Sequence, residues 1–177
     1  MKIVAFGASN SKKSINKEFA KFAANQFKST SVDVLDLNDY PLPIYSIDIE
    51  QEDGLPENAV LFYEKLKDSD MIIISFAEHN GSYAVAFKNL FDWLSRVELK
   101  MFEGKKLFLL STAPGPRGGV GVLEHAIDRF PRHGAVISAV FTLPQYNQHF
   151  STEEGILDEE LRAKFMEKVT MIESIEY

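Results

Sequence analysis

The chain of 177 residues, 45% hydrophobic and 25% charged, has the size and composition of one ordinary globular domain, which excludes a fibrous or disordered chain. It contains no cysteine, so disulfide scaffolds, thiolate catalysis and cysteine-ligated zinc or iron–sulfur centres are excluded, and any redox chemistry must come from a bound cofactor. A net charge of −7, with lysines scattered or only paired as in Lys12-Lys13 and Lys105-Lys106, argues against a nucleic-acid partner.

Residues 2–6 read as a buried strand that breaks at Gly7 into small polar residues. This start lacks the longer apolar run and cleavage site of a secretory signal, and nothing approaches the roughly 18 apolar residues of a membrane span, so the expectation is a cytoplasmic protein with no membrane partner. From Ser14 the pattern turns helical, with Phe19, Phe22, Ala23 and Phe27 on one stripe. Val32, Val34 and Leu35 predict a second strand, followed by a long connection to about Pro56 that Pro41 and Pro43 hold extended. A helix is predicted over residues 57–68 and a strand over 71–76, whose consecutive apolar residues suit the centre of a parallel sheet. A loop over 77–83 leads to a helix over about 84–95. A strand over 106–111, a glycine-rich loop to Gly119, a helix over 120–133, a strand over 136–143 and a helix from Asp158 to about Ser174 complete the chain.

Five strands alternating with five helices predict a single α/β domain over residues 1–177, a three-layer sandwich around a five-stranded parallel sheet of order 2-1-3-4-5. In such sheets a ligand binds beyond the carboxyl ends of the strands, where the winding reverses between strands one and three. The unusual loops lie at those ends. The first, Ser9 to Asn16, joins hydroxyls to a helix N-terminus, a combination suited to phosphate, although it is neither a P-loop nor a G-x-G-x-x-G turn. The second, Glu78-His79-Asn80-Gly81-Ser82-Tyr83, offers amides and a glycine beside which a planar ligand can lie; read alone it is equally an ordinary Asn-Gly turn. The third, residues 111–119, is rich in glycine and proline.

These residues give the chain a family likeness. It resembles the NADPH-dependent FMN reductases, the flavodoxin-like quinone, chromate and azo-dye reductases, from strand one to strand five. The family's G-S-x-R-x-x-S-x-N loop is matched at Ser9, Ser14 and Asn16. Its P-E-Y-N-G-S-Y loop and K-N-x-x-D-W-L-S helix are matched at Glu78, Asn80-Gly81-Ser82-Tyr83 and Lys88-Asn89-Leu90-Phe91-Asp92-Trp93-Leu94-Ser95, and its third loop at Ser111, Gly118 and Gly119. The resemblance implies FMN as cofactor, NADPH or NADH as cosubstrate, and a small-molecule electron acceptor such as a quinone, an azo compound or free flavin. It implies that Ser9, Ser14, Ile15 and Asn16 hold the phosphate, that Glu78, Asn80 and Gly81 lie along the isoalloxazine, that Ser111 sits near its far side, and that Gly118 is also among the cofactor-binding residues. No side-chain acid or base is obligatory, because the chemistry belongs to the cofactor. Ser11, Ala77 and His79 occupy cofactor-loop positions where the family has arginine, proline and tyrosine. Lys12 or Lys13 is the candidate replacement for the missing arginine. The resemblance further implies a homodimer or homotetramer, for which Phe87, Phe91, Trp93 and Phe102 are apolar interface candidates, burial within the monomer explaining them equally well. A flavodoxin-type electron carrier, or a flavin-binding protein without efficient nicotinamide turnover, is the alternative function; a phosphate-accepting receiver is disfavoured by the absence of acids where strands one and three end.

Overall fold

The computed structural model describes residues 1–28 and 31–174. The chain runs β1 (Lys2–Ala8), α1 (Ile15–Ala24), β2 (Ser31–Leu35), a 3-10 turn (Leu37–Asp39), α2 (Ile47–Asp53), α3 (Glu57–Lys67), β3 (Met71–Phe76), the hairpin β4 (Glu78–His79) and β5 (Ser82–Tyr83), and α4 (Val85–Val97). It continues through β6 (Lys106–Thr112), α5 (Val120–Arg129), a 3-10 turn (Phe130–His133), β7 (Val136–Leu143), α6 (Tyr146–His149), the hairpin β8 (Phe150–Ser151) and β9 (Gly155–Ile156), and α7 (Glu159–Glu173).

The five long strands pair in parallel in the order β2-β1-β3-β6-β7, the predicted flavodoxin-like winding. Alternation along the central strands sends side chains to both faces. Val4 and Phe6 of β1, Ile72 and Ile74 of β3, and Leu107 and Leu109 of β6 meet Phe62 of α3, Phe87 of α4 and Val122 of α5. Ile3, Ala5, Ile73, Phe108 and Leu110 face the other way, onto Phe19 of α1 and Phe165 of α7. Both faces are therefore dry, which is why these strands read as unbroken apolar runs.

α1 starts hard against the end of β1. A Cβ on Gly7 would stand 2.4 Å from the backbone nitrogen of Lys17, so no larger residue permits this crossing. The helix N-terminus is thereby held over the carboxyl edge of the sheet, at the β1–β3 switch point.

Several sequence expectations need correction. The connection over residues 36–56 is not merely extended: it holds a 3-10 turn capped by Asp36 and the short α2 capped by Ser46. No residue of α2 is buried, so the sequence there lacks the apolar stripe that marks a helix. The helix predicted over 120–133 ends at Arg129 and tightens into a 3-10 turn, because Pro131 lacks the amide hydrogen the α-helix needs. After β7 the short α6 and the β8–β9 hairpin went unpredicted. Of the two readings open for Phe87, Phe91, Trp93 and Phe102, the structure gives burial in the core of the protomer.

Candidate functional site

Ser9, Ser11, Ser14, Ile15 and Asn16 meet Ala77, Glu78 and His79 around one cavity of about 200 Å³, closed by Thr112, Ala113 and Pro114. Each loop contributes by a different device. In the first, Ser14 is the N-cap of α1, its hydroxyl accepting from the Lys17 amide at 3.1 Å. Ser9 Oγ accepts from the Ser11 amide at 3.1 Å. A hydroxyl that accepts in this way keeps its own proton to donate outwards. The amides of Ile15 and Asn16 belong to the first helical turn, which the helix itself cannot satisfy. Lys13 also lines the cavity and brings a cation to its wall.

The Asn16 side chain makes structural hydrogen bonds. It is buried; its Nδ2 donates to the Thr112 carbonyl at 3.1 Å, while Oδ1 accepts from Ser75 Oγ at 2.7 Å and from the Thr112 amide at 3.2 Å. It fastens the start of α1 to β3 and β6, leaving only its backbone amide to face a ligand.

In the second loop, Asn80 and Gly81 both have positive φ, +51° and +74°, as a two-residue type I′ hairpin turn demands. The turn pairs His79 with Ser82 and Glu78 with Tyr83. Glu78 then reaches across to α5, where Oε2 accepts from the Val122 amide at 2.8 Å. This carboxylate satisfies an orphan donor at the helix N-terminus and sits at the positive end of its dipole. A Cβ on Gly121 would stand 2.8 Å from the same oxygen, so glycine there keeps the cap in place. Glu78 sets the separation of the second and third loops, a role that no local sequence pattern signals.

Asn80, Gly81, Ser111 and Gly118 lie outside the cavity lining. Ser111 is buried beneath Gly119 and its hydroxyl shares a 3.1 Å hydrogen bond with that of Thr142. Gly118, at φ +58°, is pressed against the end of β7, where a Cβ would lie 2.6 Å from Thr142 Cγ2. Both shape the third loop from below. The same loop is anchored by hydrogen bonds from the Gln145 amide to the Gly115 carbonyl and from the Tyr146 amide to the Ala113 carbonyl.

His79 is shared with a larger neighbouring cavity of about 560 Å³, lined by Asn10, Asn38, Tyr40 and Ile44 on one side and by Ala84, Val85 and Asn89 on the other. Its outer wall is the segment after β2, clamped from α4. Asn89 accepts from the Tyr45 amide at 2.8 Å and donates to the Pro43 carbonyl at 2.9 Å, and Trp93 Nε1 donates to the same carbonyl at 2.8 Å. Asn89 and Trp93 of the K-N-x-x-D-W-L-S stretch are thus wall-builders. Near this cavity, Lys17 and Asp36 form a partly buried ion pair at 2.6 Å. Burial alone would raise the Asp36 carboxyl, but hydrogen bonds from Lys17 and the Asn38 amide outweigh it and hold the group below its ordinary value.

The sequence profile of the NADPH-dependent FMN reductases matches residues 1–148. The chain is 30% identical over 156 residues to an uncharacterised protein of Mycoplasma pneumoniae, a match that spans 84% of this chain and 90% of the relative. It is 31% identical over 84 residues to a quinone reductase of Escherichia coli, spanning 48% of this chain and 45% of that enzyme. Among solved structures, the flavoenzyme NAD(P)H:(acceptor) oxidoreductase FerB of Paracoccus denitrificans superposes with a TM-score of 0.74 at 22% identity, covering 97% of each chain.

Proposed function

The chain belongs to the NADPH-dependent FMN reductase family, and from that premise we propose that it is a flavoenzyme that passes hydride from NADPH or NADH, through FMN, to a quinone, an azo compound or free flavin. The observation that carries this reading is the union of Ser9, Ser11, Lys13, Ser14, Ile15 and Asn16 with Glu78, His79 and the third loop around one cavity. A phosphate dianion needs donors and positive charge, and this set supplies hydroxyl protons, first-turn amides, a helix N-terminus and one lysine. The donor set fits FMN.

Ser9, Ser11, Ser14, Lys13 and the amides of Ile15 and Asn16 would hold the phosphate, and Ala77 to His79 with Thr112 to Pro114 would flank the remainder. FMN, when bound, supplies the two-electron chemistry. The Glu78 bridge to α5 keeps the flanking loops at fixed separation, and the type I′ hairpin turn holds His79 at the junction of the two cavities. The larger cavity beside His79 is wide enough for a planar acceptor or a nicotinamide, and Asn10, Asn38 and Tyr40 offer it hydrogen bonds. Among the described residues no helix is long and apolar enough to cross a membrane. A homodimer or homotetramer remains part of this reading, with exposed residues such as Val85 and Ile127, not the buried aromatic cluster, available for contact.

One adjacent cavity serving donor and acceptor in turn makes a kinetic forecast. Initial rates measured over a grid of NADPH and benzoquinone concentrations should give parallel double-reciprocal lines, the ping-pong pattern. Intersecting lines, showing that both substrates must be bound together, would overturn the shared-cavity reading.

A further inference from the structure

His79 stands where two cavities meet. It lines both the candidate cofactor cavity and the larger cavity of about 560 Å³ beside it, and the type I′ turn that pairs it with Ser82 fixes its backbone there. Its ring takes no part in a hydrogen bond or ion pair among the described residues, so both ring nitrogens are available to a ligand. The residue is exposed, which leaves the ring an open path to water. The polar side chains around it are already engaged: Asn89 with the Tyr45 amide and the Pro43 carbonyl, Glu78 with the Val122 amide.

The larger cavity is otherwise poor in proton donors that work near neutrality. Two titratable side chains line it, His79 and Tyr40. Burial raises the Tyr40 hydroxyl above its ordinary value, so that group keeps its proton at pH 7. In the candidate cofactor cavity, Lys13 of the first loop and Glu78 of the hairpin share the lining with His79, while α4 and the third loop bring no titratable group to either wall. An imidazole is the side chain that ordinarily gives and regains a proton between pH 5 and 8.

We propose that His79 is the proton donor to a quinone seated in the larger cavity, an inference that rests on the function proposed above. Conversion of a quinone to its hydroquinone adds two electrons and two protons. Two electrons and one proton arrive together, as hydride from the reduced flavin, and form an O–H bond at one carbonyl oxygen while the ring becomes aromatic. The opposite oxygen, left as a phenolate, takes the second proton. The imidazolium N–H bond of His79 breaks as that O–H bond forms, and the neutral imidazole regains a proton from water.

The test uses FMN-saturated protein reduced anaerobically with stoichiometric dithionite, so that no nicotinamide is needed, and mixed rapidly with benzoquinone or with ferricyanide, which takes electrons but no proton. His79→Gln, which keeps a hydrogen-bonding group but has no proton to give, should slow benzoquinone reduction about 100-fold at about pH 6 and ferricyanide reduction far less. The parent's benzoquinone rate should fall as pH rises, through the same ionisation that NMR follows on the His79 ring of the reduced protein, and the variant's profile should lack it. Equal slowing with both acceptors, a pH profile that persists in the variant, or a kinetic ionisation that differs from the one seen on the His79 ring would each overturn the proposal. Failure of the proposed function itself shows separately, as no uptake of FMN in the titration that precedes mixing, and overturns this step with it.

Discussion

At the scale of single residues, the proposed phosphate end of the site turns on a charge moved by two positions. Serine at position 11 cannot supply the bidentate fork of an arginine, but Lys13 lines the same cavity as a point charge. Lys13→Ala should weaken FMN about three- to ten-fold at low ionic strength, with the difference shrinking in high salt, while riboflavin, which lacks the phosphate, binds the variant and the parent alike. Equilibrium titration with both flavins checks this; an equal loss for riboflavin would place Lys13 elsewhere than at the phosphate. Asn16 is a different kind of residue. Its side chain is spent on Ser75 and Thr112, so its contribution to any ligand is the position of α1 and not a direct side-chain contact.

At the scale of elements, the joint between the β4–β5 hairpin and α5 is the most sensitive part of the site. Gly121 sits in the first turn of α5, where alanine would ordinarily favour the helix by up to about 1 kcal/mol. Here its methyl would meet Glu78 Oε2, displacing the cap on Val122. Loss of that cap costs about the same, so Gly121→Ala should leave the melting temperature within a few degrees of the parent while lowering FMN affinity through the displaced loop. Thermal melts and FMN titration on the same sample separate the two effects. A higher melting temperature with unchanged FMN affinity would show that the Glu78 bridge does not control the cofactor loops. Gly7 is constrained in a stricter way, by backbone and not by a movable side chain, which is why the crossing of α1 over β1 has no alternative geometry.

At the scale of the whole molecule, the winding was legible because both faces of the sheet are covered, which writes β1, β3 and β6 as consecutive apolar runs separated by helical periodicity. The loops at one edge of the sheet were legible as breaks in that pattern, and family-like motifs marked Ser9, Ser14 and Glu78, which line one cavity, and Asn80, which lies outside its lining. What the sequence hid were features made by distant residues: the Glu78 cap on α5, the inward-turned Asn16, and the wall of the larger cavity, which Asn89 and Trp93 hold from α4. Short elements without a buried stripe, α2 above all, were hidden for the opposite reason, having no periodicity to read. The most direct test of the account is the visible spectrum of the purified, FMN-saturated protein, recorded anaerobically before and after NADPH. The account predicts bound flavin bands that bleach rapidly and return when a quinone is added. Flavin that stays oxidised in the presence of NADPH, or a protein that takes up no FMN at all, would contradict it.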